Sequence, residues 1–432
     1  MFPSRIICST LLIVVLALLR PTAAQDAFEA APVSYSESTP ENCISRLQAR
    51  LDSGDASLSF DDRFGYLPAV LTALDVPVES QALVFSKTSL QLRRISPRTP
   101  RAIYFNDEVY VGFCQSGDVL EVSTSDPQLG AVFYTLSQRA ATETPKFARQ
   151  TDNCLICHSS SRTDSVPGHL VRSLHVDKGG HPLLSAGSRN VNHTTPISER
   201  WGGWYVTGEH GDQKHLGNLI CDNDVDPEQA DNANGQNVTS LGDRFHTERY
   251  LSPHSDIVSL MILEHQVLVH NRLTNANFAT RQALAYDATM NRMLEKPGGE
   301  RLESTTRRIH NAGDKLVEAL LLVDEAPITA AIRGTSGYAE VFSGHSARDP
   351  LGRSLRDLDL TRRLFRYPCS PLIYSASFAA LPDEVRIYVW ERMQAILSGA
   401  DQSEVFAHLS AEDRQAIAEI LRATLPEAAE RL

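Results

Sequence analysis

Residues 101–113 read RAIYFNDEVYVGF, and this stretch decides the predicted fold of the N-terminal half of the chain. β-forming residues occupy 102–105 and 109–111, and Asn106-Asp107 stand between them as a two-residue turn that lacks the common second-position glycine. This pattern predicts a β-hairpin. Outward from it, further strands are predicted at 119–122 and 131–136, and a second hairpin is predicted around Lys178-Gly179-Gly180, flanked by 169–176 and 182–184. Roughly residues 80–220 are therefore expected to be rich in strands.

Helical patterns lie on both sides of this region. Thr39-Pro40-Glu41 predicts a helix start, with Thr39 as the N-cap, and a short helix is expected over 66–74. From about Pro253 the periodicity predicts helices at 256–273, 277–294, 301–323, 382–398 and 410–424, the last opened by a Ser410/Asp413 capping box. The predicted class is α+β, with a β-rich region followed by a helical C-terminal region.

The chain begins with the features of a secretory signal at residues 1–24. Arg5 precedes the apolar run IICSTLLIVVLALL, and small residues follow at 22–24. The run is shorter than the roughly 20 residues of a membrane-spanning helix, although an uncleaved anchor is the alternative. We therefore expect a periplasmic or secreted protein without a transmembrane span after signal cleavage. A tether at 25–38, an α+β region at 39–220, an acidic linker loop at 221–245 and a helical region at 246–432 complete the predicted organisation.

Composition narrows the class of protein. The 432 residues include 41 Lys and Arg against 53 Asp and Glu, so the formal net charge is −12. A nucleic-acid partner is not expected, because neutralising phosphates requires a basic surface. Apolar residues at 42% and charged residues at 22% are typical of a globular protein rather than a disordered one.

Residues 154–158 read CLICH, and this string carries the predicted chemistry. The pattern C-x-x-C-H is the attachment site of c-type haem. Cys154 and Cys157 are expected to form thioethers with the two porphyrin vinyl groups, and His158 is expected to be the proximal iron ligand. The predicted cofactor is one covalent haem c with its iron.

Three other interpretations of the cysteine pair stay open. A thioredoxin-type dithiol would follow a strand in a βαβ pattern, which is missing here, and it usually has no histidine after it. A structural zinc site would need two more ligands at similar spacing. A disulfide across two residues would close a strained loop.

The sixth iron ligand is less defined by the sequence. His265 and Met261 lie four residues apart in the apolar segment 256–273 and share a helix face, so either is a possible distal ligand, with an open site as the further possibility. A core His265 bonded to a carbonyl or to Glu264 is the structural alternative. The aromatic string at 201–205 could line a haem pocket or simply fill the core. The arginines between 353 and 366 could bind haem propionates or form ordinary ion pairs.

Four further cysteines remain after signal cleavage, outside the CLICH string: Cys43, Cys114, Cys221 and Cys369. Export permits disulfides, so one or two bridges among them are expected, with four free thiols as the alternative.

At CLICH the chain resembles c-type cytochromes. Over a longer stretch its sequence is similar to a family of large exported bacterial monohaem proteins to which no reaction is assigned. The strings that carry this resemblance are RAIYFNDEVYVGF (101–113), DPQLGAVFYTL (126–136), SSRTDSVPGHLVRS (160–173), ERWGGWYVTGEHG (199–211) and DLTRRLFRYPCSPLIYS (359–375). The resemblance implies covalent haem on Cys154 and Cys157, His158 as proximal ligand, and electron transfer as the generic activity. The small all-helical cytochrome fold is not expected, because the attachment site lies about 150 residues into the chain behind a β-rich region.

The predicted function is one-electron transfer in the periplasm or at the cell exterior, with an unknown redox partner. A haem enzyme with an open sixth site, either peroxidase-like or acting on a small substrate, is the alternative, and a haem-based sensor is a third. An electron carrier is favoured over a dedicated enzyme, although the length of the chain favours an enzyme.

Overall fold

An antiparallel sheet in the N-terminal half and helices in the C-terminal half make the fold α+β, as predicted. The structure is a computed structural model that describes residues 27–140, 143–222, 226, 229–296, 301–344 and 346–432. The predicted signal at 1–24 lies outside the described residues. No helix of the described part is both long and apolar enough to span a bilayer.

The sheet contains six strands within the described residues, each paired with the next along the chain. They are β1 (Ala82–Val84), β2 (Arg101–Phe105), β3 (Val109–Phe113), β4 (Val119–Asp126), β5 (Gly130–Ser137) and β6 (Phe147–Gln150). The first predicted hairpin is confirmed, with Phe105 opposite Tyr110. Its turn lies one residue later than predicted, because the Asn106 side chain accepts hydrogen bonds from the amides of Glu108 and Val109, both at 3.0 Å.

Gly130 stands at the turn between β4 and β5 with φ of +68°, where only glycine is unstrained. A Cβ at this position would overlap the Thr274 methyl group and approach the Pro167 carbonyl oxygen to 2.9 Å. We expect Gly130→Ala to lower the free energy of unfolding by about 1–3 kcal/mol through backbone strain and overlap. Urea denaturation measures this change. Gly54→Ala, also at positive φ but with nothing near its Cβ, isolates the strain component.

The second predicted hairpin is reduced to a single bridge between Val176 and Pro182. Two short strands pair on either side of it instead, β7 (Arg172–Ser173) and β8 (Arg189–Asn190). The predicted flanks do not pair with each other beyond that bridge: of 169–176 only Arg172–Ser173 is a strand, and the backbone between the flanks makes turns and side-chain contacts rather than a ladder. One example is the Asp177 carboxylate, which accepts from the amides of Gly179 and His181, both at 2.8 Å.

The helices of the described part have the following bounds: α1 (Cys43–Ser53), α2 (Leu67–Ala73), α3 (Leu155–His158), α4 (Ile257–Met293), α5 (Glu303–Leu320), α6 (Tyr338–Gly344), α7 (Ala376–Ala379), α8 (Asp383–Leu397), α9 (Ala411–Thr424) and α10 (Pro426–Arg431). The Ser410/Asp413 capping box of α9 is confirmed. The N-cap of α1 is Asn42 rather than the predicted Thr39, because the Asn42 side chain accepts from the amides of Ile44 and Ser45.

α4 is one continuous helix of 37 residues, where the sequence predicted two. Three groups of buried apolar residues form the core, and α4 contributes to each of them: Phe278 to the sheet side, Leu273 to the C-terminal helices, and Ile262 to the part between. The helix therefore joins the β-rich and helical regions in one packed body.

Two predicted irregular segments are packed into that body. The predicted tether at 25–38 is wrong for its described residues: Phe28 and Tyr35 are buried, and the Tyr35 hydroxyl donates to the Ala131 carbonyl at 2.8 Å. The predicted linker loop at 221–245 is only partly described, but Leu241 and Phe245 in it are also buried. Their apolar side chains add to the sheet-side core.

The disulfide expectation is not met, because Cys43, Cys114, Cys221 and Cys369 are all free thiols. They lie on different elements: Cys43 begins α1 beside Thr124, whereas Cys369 is buried among the C-terminal helices. Burial raises the pKa of Cys369 to about 12, so this thiol is protonated at neutral pH.

Candidate haem-attachment site

The CLICH string forms a single helical turn directly after the last strand of the sheet. The Leu155 amide donates to the Asp152 carbonyl at 3.1 Å, and the His158 amide donates to the Cys154 carbonyl at 3.0 Å. Leu155 is buried and anchors the turn, whereas Ile156 is 77% exposed. The two cysteines stand three residues apart in this turn, and both are free thiols, Cys157 being exposed and Cys154 half-buried. Neither sulfur atom is in a disulfide, so both are available for reaction.

His158 is held by a reciprocal pair of bonds to one glycine. Its Nδ1 donates to the Gly168 carbonyl oxygen at 2.9 Å, and the Gly168 amide donates to the His158 carbonyl oxygen at 2.8 Å. The other ring nitrogen, Nε2, has no hydrogen bond and is not among the enclosed polar atoms without a partner, so it reaches solvent. Metal-binding histidines commonly donate one ring N–H to a carbonyl in this way and ligate through the other nitrogen.

The electrostatic surroundings keep the imidazole neutral. Burial lowers the pKa of His158, and the bond to the Gly168 carbonyl opposes that shift. The ion pair between Arg101 and Glu121, with a separation of 2.8 Å, lies beside the turn. Burial raises the pKa of Cys154, and the Glu121 charge adds to this effect. A neutral imidazole is the form that a metal ion requires of a histidine ligand.

Behind His158 lies a cluster of rings that the sequence did not single out. The Phe133 ring is 4.8 Å from the His158 ring, and His169 packs against Tyr110 at 4.5 Å. The Tyr110 hydroxyl and His270 Nδ1 are 3.0 Å apart. His169 is 5% exposed, and neither of its ring nitrogens has a partner. The only sequence signal for His169 was its position eleven residues after His158.

The predicted distal ligands lie in another part of the core. His265 is buried, with Nδ1 3.0 Å from His193 Nδ1 and Nε2 2.8 Å from the Ser370 hydroxyl. Its ring contacts are with His193 and Phe365, and neither of these rings contacts His158. Met261 belongs to the same core group as Phe365, whereas Leu155 of the motif belongs to the sheet-side group. The structure therefore does not bring His265 or Met261 to the motif, and their distal role stays a prediction.

Burial strongly favours the neutral form in the His193/His265 pair. Burial and the Arg200 charge lower the pKa of His193 to about 3, and burial and His193 hold the pKa of His265 well below its usual range. Two neutral imidazoles with complementary tautomers can share one hydrogen bond. Both nitrogens of His265 are consequently engaged within the protein.

The other candidate residues, the aromatic string at 201–205 and the arginines between 353 and 366, are buried in the core or paired with other side chains. Trp201 and Tyr205 are completely buried, and Trp204 Nε1 donates to the Arg172 carbonyl at 2.8 Å. The arginines between 353 and 366 largely form ion pairs: Arg353 with Asp349 and Glu419, Arg356 with Asp107, Arg362 with Asp359, and Arg363 with Asp413. These contacts favour the core and ion-pair interpretations.

Protein side chains alone form no metal site in the described part of the chain, where no three His, Cys, Asp or Glu residues converge suitably. A zinc interpretation of the cysteine pair therefore lacks its further ligands among those residues. Comparison with protein-family models, with characterised proteins and with solved structures finds no match to this chain. The assignment of the site consequently depends on its own geometry.

Proposed function

We propose that the protein carries one c-type haem, attached through Cys154 and Cys157 and ligated by His158, and that it transfers electrons outside the cytoplasm. The observation that carries the proposal is the state of His158: Nδ1 is fixed on the Gly168 carbonyl and Nε2 is left for a ligand. Together with two unpaired thiols at the required spacing, this donor set fits covalent haem.

The two cysteines, His158 and Gly168 would each have a separate role in binding the haem. Each thiol would add across a vinyl double bond, so that sulfur bonds to one carbon and the thiol hydrogen passes to the other. His158 Nε2 would ligate the iron, and the Gly168 carbonyl would orient the ring. When bound, the haem supplies an iron centre that takes up and releases one electron. The apolar run at residues 1–24 supports export, and covalent haem attachment takes place outside the cytoplasm.

The decisive experiment is expression of the full chain in a host that matures c-type cytochromes. We expect the wild-type protein to retain one haem per chain on a denaturing gel, and we expect Cys154→Ala/Cys157→Ala to lose all covalent haem. Cys221→Ala, which removes a buried thiol elsewhere, should retain it. Haem staining and the pyridine haemochrome spectrum measure both outcomes. A colourless wild-type protein, or zinc bound by the two thiols, would overturn the proposal.

One observation favours a second candidate function, that of a haem enzyme or sensor with an open sixth position. Both nitrogens of His265, the first choice for a distal ligand, are already engaged with His193 and Ser370. Adding carbon monoxide to the reduced protein separates the candidates. A shifted Soret band indicates an accessible iron and supports the second function, and an unchanged band indicates a fixed sixth ligand and supports electron transfer.

A further inference from the structure

A cavity of about 490 Å³ lies between α2, the hairpin turn that joins β2 and β3, and helix α6. Its walls come from α2 and the segment that follows it, from the turn between β2 and β3, and from helix α6. Leu71, Val76, Val78 and Phe342 make its surface largely apolar. This volume lies within the roughly 300–1,000 Å³ of small-molecule sites, and none of the haem-attachment residues lines it.

Tyr338 supplies an unpartnered polar group to this cavity. The residue is 3% exposed, and its ring packs between Phe105 at 5.7 Å and Phe342 at 6.0 Å. Its hydroxyl makes no hydrogen bond, yet it is not among the enclosed polar atoms without a partner. Because Tyr338 lines the cavity, its hydroxyl opens into it. A hydroxyl group that faces an open cavity bonds to water there, and a ligand with a donor or an acceptor can replace that water.

The charged side chains around the cavity determine which ligand charge is favoured. Three carboxylates line it, those of Asp75, Asp107 and Glu108, and Arg356 is the cation among the described lining residues. The Arg356 guanidinium is already paired with Asp107 and lies 4.7 Å from the centre of the Phe342 ring. Glu108 also lies 3.7 Å from the Arg46 guanidinium in an exposed ion pair, so the remaining negative excess is small, but it still favours a cation over an anion.

Tyr338 and Asp107 line the same cavity. Burial raises the pKa of Tyr338 well above its usual range, and the nearby Asp107 charge is the next cause of this shift. An ammonium group between them could donate to both oxygen atoms, while an apolar body covers the aliphatic wall.

We propose that this cavity binds a small amphipathic amine, with its ammonium group between the Tyr338 hydroxyl and the Asp107 carboxylate and its apolar body against Leu71, Val76 and Val78. The site is separate from the haem-attachment turn, and the proposal does not depend on the function of that turn.

Three probes with the same apolar body test the proposal by isothermal titration calorimetry on the full mature chain: 4-phenylbutylamine, 4-phenylbutanol and 4-phenylbutyrate. We expect the amine to bind with a stoichiometry of one, the alcohol to bind about tenfold more weakly, and the carboxylate to show no binding, because only the ammonium group donates charge-assisted hydrogen bonds to a carboxylate. Equal affinity for the amine and the carboxylate would overturn the proposal.

Tyr338→Phe removes the hydroxyl and keeps the ring, and we expect it to weaken amine binding about tenfold. Tyr388→Phe is the matched control, because that hydroxyl bonds to Asp314 elsewhere, and it should leave the affinity unchanged. Asp75→Asn, at an exposed lining position, should weaken amine binding about threefold without disturbing the core. Undiminished affinity in both Tyr338→Phe and Asp75→Asn contradicts the assigned site.

Discussion

Replacing Arg200 with methionine is expected to lower the free energy of unfolding by about 3–5 kcal/mol, because it leaves the Glu264 carboxyl buried without its cation. The side chains of Arg200 and Glu264 are 3% and 0% exposed. The guanidinium donates to Glu264 and also to the carbonyl oxygens of Thr195 at 2.7 Å and His193 at 3.0 Å. The substitution therefore removes one ion pair and leaves two carbonyl oxygens without that donor.

The size of this loss should depend on pH. Burial raises the pKa of Glu264 to about 7, and the Arg200 charge opposes that shift. A carboxyl with a raised folded-state pKa contributes stability when protonated, and that contribution is lost as the pH rises through the folded value. Without Arg200 the pKa of Glu264 rises further. The loss in Arg200→Met should therefore be larger at pH 8.5 than at pH 5.5.

Urea unfolding followed by far-UV circular dichroism at the two pH values measures the effect. Arg333→Met is a suitable control, because Arg333 is 83% exposed in its pair with Glu209, and a change below about 1 kcal/mol is expected for it. Glu264→Leu combined with Arg200→Met should recover much of the lost stability. A loss in Arg200→Met no larger than in the control would contradict the expectation.

The second large effect is expected for Asp256→Ala, at the N-terminus of α4. Asp256 is completely buried, and its Oδ1 accepts from the Val258 amide at 2.8 Å. Its Oδ2 accepts from the amides of Thr335 at 2.6 Å and Ser336 at 2.8 Å. One carboxylate thus caps α4 and holds the segment that leads into α6. Removing it leaves the buried Val258 amide and the half-buried amides of Thr335 and Ser336 without their acceptor, so a total loss of about 3–5 kcal/mol is expected.

The matched control for Asp256 is Ser410→Ala, which removes an exposed N-cap from α9 and should cost about 1 kcal/mol. Thermal and urea unfolding of both variants give the comparison. Asp256→Asn, which keeps an acceptor oxygen for either the helix or the 335–336 amides, should fall between the wild-type protein and Asp256→Ala. Equal losses in Asp256→Ala and Ser410→Ala would show that the second set of bonds contributes nothing.

Local sequence patterns predicted the secondary structure correctly where residues close together in the chain determine it. The hairpin at 101–113 follows from alternating β-formers around a turn, and the α9 capping box from two side chains three residues apart. The sequence predicted separate helices at 256–273 and 277–294, but the side chains of Asn271 and Asn277 donate to carbonyl oxygens of other segments, and the helix continues. Composition suggested a tether at 25–38, although two of its aromatic side chains belong to the core.

The candidate site was predictable only in part, because some of its contacts join segments that are far apart in the sequence. The spacing of Cys154, Cys157 and His158 is local, and the sequence displays it directly. The Gly168 carbonyl that binds His158 is brought there by a loop, and His169 comes with it. The Tyr338 cavity combines elements more than 200 residues apart, which no periodicity connects. The partners of His265 are likewise distant, so its own helix pattern did not predict them.

The unbroken course of α4 has a consequence for how this protein could be divided. At 37 residues the helix extends for about 55 Å, and it supplies side chains to each of the three apolar groups. A fragment that ends before Ile257 would keep the CLICH turn but lack Asn271. The Asn271 side chain accepts from the His169 amide and donates to the His169 carbonyl oxygen. The loop that carries Gly168 would then lose its backing. The C-terminal helical region thus supports the loop that packs against the candidate haem-attachment site.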